Sequence, residues 1–276
     1  MICFFATMSL FCLMQGVSAQ DGIKVMSFNI RYNSVWENDG DNKWDNRKEA
    51  VVAMLMEERP AAIGLQEALI DQLEYLDKNL EGYKRVGVGR DDGKAKGEFM
   101  AVYYDTKQLE LMSEETKWLS ETPDEPSRGW DAACNRTVTV TRLRDMGSGQ
   151  EFCYLNTHLD HVGKKAREES TMLLAELVRN EGEEMPVIVG GDMNSTIEDP
   201  IFRSLEECGL KSAREMAEES SDAITYNGFG KSEGSVIDHF FVRGMKVFRF
   251  KTLDGDYGVK YVSDHYAVVV EVGIEG

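Results

Sequence analysis

Cysteine is scarce in this sequence, and the spacing of the few thiols argues against two classes of protein. The 276-residue chain has five cysteines, of which Cys134, Cys153 and Cys208 lie beyond an apolar N-terminal segment. Three cysteines cannot all pair with one another, and none has the spacing of a zinc knuckle or of a Cys-x-x-Cys redox motif. The sequence therefore predicts neither a disulfide-rich scaffold nor a thiol redox enzyme, and it favours small, partly buried thiols.

Positive charge is also in short supply. The chain has 31 Lys and Arg against 49 Asp and Glu, which gives a formal net charge of −18. An acidic surface repels polyanions and lacks the cations whose counterion release drives duplex DNA binding. We therefore expect no tight, non-specific binding of duplex DNA, although a local basic patch or a bound metal ion can reverse the sign at one site.

Repeats, low-complexity tracts and proline-rich segments are absent, so the sequence marks no linker between domains. The chain has five prolines, and its clusters of polar residues run from Asn29 to His265. A site that draws on almost the whole chain is typical of a single domain. The sequence thus predicts one domain over residues 20–276, which we expect to be monomeric.

The first nineteen residues lack Asp, Glu, Lys and Arg altogether. Their apolar centre is too short to cross a bilayer comfortably, and Val17-Ser18-Ala19 places small residues where signal peptidase requires them. The Lys or Arg that normally precedes such a segment is missing. The pattern predicts a signal peptide over residues 1–19 with cleavage near Ala19. The mature protein would have no transmembrane segment and would be periplasmic or secreted.

Strand-like and helix-like segments alternate along the rest of the chain. Amphipathic periodicity predicts helices over residues 47–58, 69–80, 164–179 and 200–207. Apolar or alternating runs predict strands over residues 23–30, 61–65, 99–104, 136–143, 151–157, 186–189, 236–242 and 266–272. A purely parallel sheet leaves the predicted hairpin of strands 136–143 and 151–157 unexplained. We therefore predict an α/β fold in which two mixed sheets pack face to face, with helices on the outer faces.

Two oxygen-bearing side chains, Asn29 and Glu67, each follow an apolar strand. Oxygen ligands from separate strands suit Mg²⁺, which keeps water and substrate oxygens in its other positions. A lone Glu at this place has a second interpretation. A helix follows at Leu69, and a negative charge is favourable at a helix N-terminus.

Asp192 and Asn194 follow the apolar strand at 186–189 and are two positions apart. If the strand continues, both side chains project to the same face. There the carboxylate can take a proton from water, and the carboxamide can hold that water or a phosphoryl oxygen. An Asx turn after a buried strand explains the pair about equally well.

The four histidines all lie in or beside such polar clusters. His265 adjoins the last predicted strand, and Asp238 offers it a carboxylate partner that would fix the tautomer of the ring and support its charged form. His158 lies at the end of the strand at 151–157. His161 and His239 we interpret as structural, because a lone histidine is more often structural than catalytic.

The order of these clusters along the chain carries a family resemblance. The clusters are Phe28-Asn29, Gln66-Glu67, Asn156-Thr157-His158-Leu159, Gly191-Asp192-Met193-Asn194, Ile237-Asp238 and Ser263-Asp264-His265. In this order they resemble the endonuclease/exonuclease/phosphatase superfamily, which includes DNase I-like nucleases and inositol polyphosphate 5-phosphatases. The resemblance covers residues 24–272, and it implies a four-layered α/β sandwich that cleaves phosphoesters with Mg²⁺ or Mn²⁺.

The resemblance also implies a role for each site residue. The implied metal ligands are Asn29, Glu67 and Asp264. The implied catalytic residues are Asp192 for the attacking water, Asn194 and His158 for the phosphate, and the pair His265 and Asp238 for the charge that develops on phosphorus. Arg31 departs from the family pattern, because several branches have an acidic residue there. Arg31 is therefore a candidate for contact with phosphate rather than with the metal.

Three further residues, Trp130, Arg136 and Asp160, are candidates for contact with the substrate. Trp130 and Arg136 flank a loop that resembles a feature of exported bacterial members of the superfamily. Asp160 closely follows His158. A packed aromatic ring and a surface ion pair would explain Trp130 and Arg136 about as well.

These observations together predict a metal-dependent phosphoesterase in which water attacks phosphorus in line with the leaving group. A phosphodiester substrate ranks above a phosphomonoester. Two alternatives stay open at this point. One is an exported glycoside hydrolase that uses paired carboxylates and would survive EDTA, and the other is a non-catalytic binding module on the same fold. The sequence leaves open which phosphoester is cleaved and whether one metal ion or two take part.

Overall fold

The computed structural model describes residues 22–34 and 39–275, which form thirteen strands and five α-helices. In chain order the strands are β1 (Ile23–Asn29), β2 (Ala62–Gln66), β3 (Tyr83–Val86), β4 (Val102–Asp105), β5 (Leu109–Trp118), β6 (Thr137–Asp145), β7 (Glu151–His158), β8 (Val187–Asp192), β9 (Lys211–Ser212), β10 (Glu219–Ser220), β11 (Asp238–Arg243), β12 (Met245–Leu253) and β13 (Ala267–Ile274). The helices are α1 (Trp44–Glu58), α2 (Ile70–Asn79), α3 (Lys164–Asn180), α4 (Arg203–Glu206) and α5 (Ala213–Met216). The predicted signal peptide lies outside the described residues. None of the helices in the described ranges has the length and apolar character needed to cross a membrane.

The strands are arranged in two mixed sheets. The first has the order β10-β12-β13-β1-β2-β4-β3, and the second has the order β5-β6-β7-β8-β11-β9. Each sheet has a parallel pair near its centre, β1 with β2 and β7 with β8. The predicted hairpin is formed by β6 and β7, which pair antiparallel. The central parallel pairs matter for function, because polar residues follow their carboxyl ends.

Three buried apolar clusters separate the layers of the fold. Ile188 and Val268 belong to the cluster between the two sheets. Leu55 of α1 and Leu73 of α2 pack on the outer face of the first sheet. Leu174 of α3 belongs to the cluster on the outer face of the second sheet. The predicted sandwich of two sheets with helices outside is therefore confirmed.

Some elements differ from the sequence prediction. The edge strand β5 was not predicted, because its middle, Met112–Glu115, is exposed and shows no apolar alternation. Strand β12 was missed as well, although Gly244, with φ +64°, turns the chain tightly from β11 into it. The predicted helix over 200–207 is a 3₁₀ turn, Pro200–Phe202, followed by the single turn of α4. Asp199 caps that turn by accepting a hydrogen bond from the Ile201 amide.

Candidate active site

The register of the second sheet puts three predicted site residues in one row. His158 at the end of β7 pairs with Asp192 at the end of β8, and Asp192 pairs with Asp238 at the start of β11. Gly191 permits the close approach of β7 and β8, because a Cβ atom there, at φ +151°, would collide with the Thr157 carbonyl. The strand pairing alone thus assembles half of the candidate site.

The first sheet supplies the other half. Asn29 ends β1 opposite Gln66 of β2, and Glu67 follows with φ +61°. Arg31, with φ +59°, also has a left-handed backbone although it is not glycine. The same is true of Asn194, with φ +48°, which follows β8 of the second sheet. This conformation is strained for ordinary residues, and the surrounding structure must hold it. Its occurrence at three predicted site residues marks this edge of the sandwich as a functional region.

A cavity of about 600 Å³ lies between the two halves. The predicted site residues that line it are Arg31, Glu67, Arg136, His158, Asp192, Asn194, Asp264 and His265. Asn29 and Asp238 are buried behind it, and each bonds to a residue that lines it. The structure therefore brings together ten of the twelve predicted side chains, leaving Trp130 and Asp160.

Asp192 is at the centre of the site. Its Oδ2 accepts a hydrogen bond from Asn29 Nδ2 at 3.0 Å and lies 3.3 Å from His158 Nε2 and 3.6 Å from His265 Nε2. Burial raises the pKa of Asp192 to about 7, against the opposing effect of the His265 cation. A carboxylate of this basicity is well matched to accepting a proton from water near neutral pH.

His265 and Asp238 form the predicted pair. The Nδ1 atom of His265 lies 2.9 Å from Asp238 Oδ2. Burial by itself lowers the pKa of His265, but the Asp238 and Asp192 carboxylates outweigh burial and raise it to about 10. The imidazole is therefore protonated at neutral pH, with Nδ1–H directed at Asp238 and Nε2–H facing the centre of the site. The Tyr226 ring packs against it at 5.0 Å between ring centroids.

His158 and Asn194 lie on the other side of Asp192. The Asn194 amide nitrogen donates to His158 Nε2 at 3.0 Å and to the Leu159 carbonyl at 3.0 Å. The Nε2 atom accepts, so the ring proton is on Nδ1, which has no hydrogen-bond partner in the described part of the chain. Burial lowers the pKa of His158, and the Arg136 and Arg90 cations add to the effect. His158 is therefore neutral at pH 7.

The carboxylates of Glu67 and Asp264 fit a hard divalent cation. Glu67 accepts hydrogen bonds from Asn29 Nδ2 at 3.0 Å and from the Tyr32 amide at 3.2 Å, which fix its orientation. Burial raises the pKa of Asp264, and the neighbouring Glu67 charge adds to the rise. Two carboxylates that repel each other at one cavity are relieved by a bound cation. Ligand atoms of Asp192, Asp238 and His265 also lie within 4.8 Å of one another, but the protonated His265 ring has no lone pair to offer a metal ion.

Asn29, a predicted metal ligand, contacts the Glu67 and Asp192 carboxylates through its side chain. Its nitrogen faces Glu67 and Asp192, while its oxygen accepts the Arg31 amide at 3.0 Å. Asn29 therefore links the two carboxylates in this arrangement. Arg31 is paired with Asp39, at 3.2 Å, and its Nε lies 3.8 Å from Asp264. The Arg31 cation thus lies beside the candidate metal carboxylates.

Asp160 and Trp130 are not placed as the prediction expected. Asp160 is fully buried, and its carboxylate accepts the backbone amides of Ala133, Val162 and Gly163. It also binds Arg136 Nε at 3.2 Å, so it holds the substrate-side loops in place. Trp130 does not line the cavity, and its amide donates to the Glu121 carboxylate. Its φ of +47° marks a strained turn.

Sequence reasoning assigned no role at the site to several polar residues that line the cavity, among them Arg90, His161 and Tyr226. His161 was interpreted as structural, although its place three residues after His158 was a signal. Arg90 lies in a Gly-Arg-Asp-Asp-Gly turn far from any predicted strand end. Tyr226 lies in an irregular loop and reaches the site because its backbone bridges to His265. The sites of Arg90 and Tyr226 become visible only when distant loops pack together in the folded protein.

Comparisons with known proteins agree with this geometry. Residues 26–265 match the sequence pattern of the family described as "Endonuclease/Exonuclease/phosphatase family". A mannosyl-6-phosphatase from Bacteroides thetaiotaomicron is 33% identical, with a TM-score of 0.86 and coverage of 92% of this chain and 100% of that one. A family protein from Bacteroides vulgatus is 30% identical, with a TM-score of 0.87 and coverage of 93% and 100%.

A viral protein is similar along most of its length as well. An uncharacterized protein of Acanthamoeba polyphaga mimivirus is 26% identical over 265 residues, which is 88% of this chain and 95% of that protein. The family match runs from β1 to His265, so it includes every predicted catalytic and metal-binding residue. The chain belongs to the endonuclease/exonuclease/phosphatase family.

Proposed function

We propose that this protein is a phosphoesterase that depends on a divalent metal ion and hydrolyses its substrate by in-line attack of water. The observation that carries the proposal is the joint lining of one cavity by Asp192, by the Glu67 and Asp264 carboxylates, and by His265, which pairs with Asp238 behind the cavity wall. The family's members act on phosphoester bonds, which favours this reaction over glycoside hydrolysis and over a binding module without activity.

The proposal assigns Glu67 and Asp264 as the residues that would hold the metal, Mg²⁺ or Mn²⁺. Such an ion would neutralise charge on a phosphoryl oxygen. Asp192 would accept a proton from the attacking water, since its carboxylate faces the cavity and has a pKa of about 7. His265 would donate its Nε2–H to an oxygen that gains charge as the phosphorus becomes five-coordinate.

Two kinds of substrate are proposed for this site. A phosphodiester ranks first, as expected from the sequence. A sugar phosphomonoester is the second candidate, because the mannosyl-6-phosphatase from Bacteroides thetaiotaomicron is similar over its full length. We also propose that the protein is monomeric and exported after cleavage near Ala19. Mass spectrometry of protein from the native host would then find Gln20 at the N-terminus, and an intact Met1 would refute export.

A substrate panel tests the function. Nitrophenyl phosphodiesters, nitrophenyl phosphate and mannose 6-phosphate are each assayed with Mg²⁺, with Mn²⁺ and with excess EDTA. We expect hydrolysis of at least one ester with metal and its loss in EDTA. Asp192→Asn should abolish that activity, whereas the matched change Asp124→Asn, at a side chain that is 80% exposed, should retain it. Full activity in EDTA, or no hydrolysis of any ester, would overturn the proposal.

A further inference from the structure

One wall of the cavity carries positive charge that the proposed reaction does not use. Arg90, Arg136 and His161 line the cavity beside His158, and we call them the cationic wall. The two arginines are close enough to His158 to lower its pKa, after burial. In a chain with a net charge of −18, such a concentration of cations needs a physical explanation.

Arg136 is held rigidly but retains a free donor. The residue is only 4% exposed, its Nε binds Asp160 at 3.2 Å, and its Nη2 lies 2.9 Å from His161 Nδ1. Its Nη1 has no hydrogen-bond partner among residues 22–34 and 39–275. A buried donor without a partner costs free energy, so this guanidinium is arranged for a further acceptor.

His161 extends the wall to the rim of the cavity. A guanidinium can only donate hydrogen bonds, so His161 Nδ1 accepts from Arg136, and the ring proton is on Nε2. The side chain is exposed. Arg136 thus fixes the tautomer of His161 and leaves Nε2–H as a donor at the rim.

Arg90 completes the wall on the side of the first sheet. Its guanidinium binds Glu98 at 2.6 Å, while its carbonyl accepts Trp118 Nε1 at 2.7 Å and Asn135 Nδ2 at 3.1 Å. Its Nε is buried, makes no hydrogen bond within the described ranges, and lies 4.0 Å from Asp91. Two arginines therefore stand in the same cavity, each with one unused donor.

The charge of the possible substrates decides what the wall would bind. A phosphodiester carries one negative charge, which the proposed metal and the His265 cation would be enough to neutralise. A terminal phosphate carries about −1.5 to −2 charges and three acceptor oxygens. Arginine is well suited to such a group, since its fork of donors matches phosphate oxygens.

We propose that the cationic wall binds a terminal phosphate of the substrate, through the free donors of Arg90, Arg136 and His161. The inference rests on the proposed function and deepens it, because it names the substrate class as a phosphoester with a terminal phosphate. That phosphate is either the one that is cleaved or a second one on the same molecule.

A binding experiment with inorganic phosphate in EDTA tests the wall without catalysis. We expect the wild-type protein to bind phosphate by calorimetry in the absence of metal. Arg136→Met should weaken binding by about tenfold or more, the scale of a lost charged hydrogen bond. Arg144→Met removes a surface arginine that pairs with Glu110 and Glu151, and it should bind like the wild type.

Arg136→Met leaves the buried Asp160 carboxylate without its cation, so this variant could fail to fold. A second variant therefore tests the wall without leaving a buried charge unpaired. Arg90→Met combined with Glu98→Gln removes a charge pair together, so it leaves no unpaired buried charge. It should weaken phosphate binding by a similar factor and keep a cooperative melt. No binding by the wild type, or equal binding by the wild type and a folded wall variant, would overturn the proposal even if hydrolysis is established.

A kinetic experiment identifies which phosphate the wall holds. Three substrates are compared: a nitrophenyl phosphodiester, nitrophenyl phosphate, and a nitrophenyl phosphodiester of a nucleoside with a separate terminal phosphate. We expect the wall variants to lose about tenfold more kcat/KM on one or both doubly charged substrates than on the simple diester. A selective loss on nitrophenyl phosphate assigns the wall to the cleaved phosphate, and a selective loss on the third substrate assigns it to a second phosphate. Equal losses on all three would contradict the inference.

Discussion

At the scale of single residues, the site is dominated by contacts that hold charges in a defined state. Asp238 keeps His265 protonated, and the buried Asp192 has a pKa of about 7, so the acid and the base differ in pKa although they lie 3.6 Å apart. Such a separation of pKa values between neighbouring groups is how one site provides both a proton acceptor and a proton donor at pH 7. Two predictions follow at this scale.

The first prediction is that His265 and Asp238 act as one unit. His265→Ala should lower kcat by about 10² to 10⁴, the usual scale for a positioned acid–base group. Adding Asp238→Ala should cost little more, since its carboxylate acts through the ring 2.9 Å away. A double-mutant cycle on kcat, with a thermal melt of each variant, measures this. Losses that multiply would mean that Asp238 has a separate role.

The second prediction concerns the affinity for metal. Glu67→Gln keeps the size of the side chain but removes a charge that suits a divalent cation, so it should raise the metal concentration needed for half-maximal rate. Titration of Mg²⁺ and Mn²⁺ under saturating substrate measures the shift. Glu98→Gln makes the same change at a carboxylate that lines the same cavity and binds Arg90. It should not change the metal concentration needed for half-maximal rate. Equal shifts in the two variants would mean that Glu67 is not a metal ligand.

At the scale of elements, buried charged residues hold the loops around the cavity in place through hydrogen bonds to the backbone. Arg47 of α1, 1% exposed, donates to the carbonyls of Ile30, Arg31, Asn42 and Val262. One helix residue thereby ties the loop after β1 to the segment that carries Asp264. Asp160 does the same between the loops that follow β7 and precede β6. These residues position the site without reaching the cavity.

The third prediction is that the loss of the Arg47 side chain loosens both segments. Arg47→Met would leave buried carbonyls without donors, and each such group costs about 1–3 kcal/mol. Urea unfolding should therefore show a destabilisation of several kcal/mol, and kcat should fall in the variant that still folds. Lys48→Met, at the next position, removes an ion pair with the exposed Asp45 and a contact with the face of the Tyr75 ring, and its free energy of unfolding should stay within about 1 kcal/mol of the wild type. A near-wild-type melt for Arg47→Met would refute the role.

The fourth prediction is a dependence of stability on pH at Asp160. Burial would raise the pKa of this carboxyl, but the amides of Gly163, Ala133 and Val162 and the Arg136 cation outweigh burial and lower it to about 2. A depressed pKa stabilises the fold above the unfolded value of about 4, and this stabilisation is lost as the pH falls from about 4 to about 2. Asp160→Asn should thus unfold at lower urea than the wild type at pH 6, and the gap should narrow towards pH 3. A gap that is constant with pH would contradict the assignment.

At the scale of the whole molecule, the net charge of −18 surrounds a site that carries local positive charge. The acidic surface opposes the approach of long polyanions, while the cationic wall and a bound metal would favour a small phosphate ester. The fold gathers the cavity residues at one place, because strand ends of both sheets meet at one edge of the sandwich.

The fifth prediction is weak binding of duplex DNA. Fluorescence anisotropy with a labelled duplex in EDTA and low salt should show no saturation up to about 10 µM protein, because a net charge of −18 opposes the approach of a polyanion. Saturation in the low micromolar range that weakens steeply with salt would contradict this expectation.

The sequence alone determined the class of fold and most of the site. The alternation of apolar runs predicted the two sheets and the outer helices, since burial of one face requires that periodicity in any tertiary setting. Polar residues next to buried strands stand out because such positions are otherwise apolar, and for this reason Asp192 and His158, at strand ends, and His265, just before β13, were found. The signal peptide, the monomeric state and the metal ligands stay predictions.

Only the tertiary structure decided how loops meet at the cavity. Arg90 and Tyr226 come from loops whose local sequence predicts no function, and they reach the site because packing brings distant segments together. The sequence predicted Trp130 and Asp160 as substrate contacts. The Asp160 carboxylate instead accepts hydrogen bonds from backbone amides, and Trp130 is not among the residues that line the cavity. The physical reason is that periodicity reports which face of an element is buried, whereas the direction of a loop depends on contacts between residues far apart in the chain.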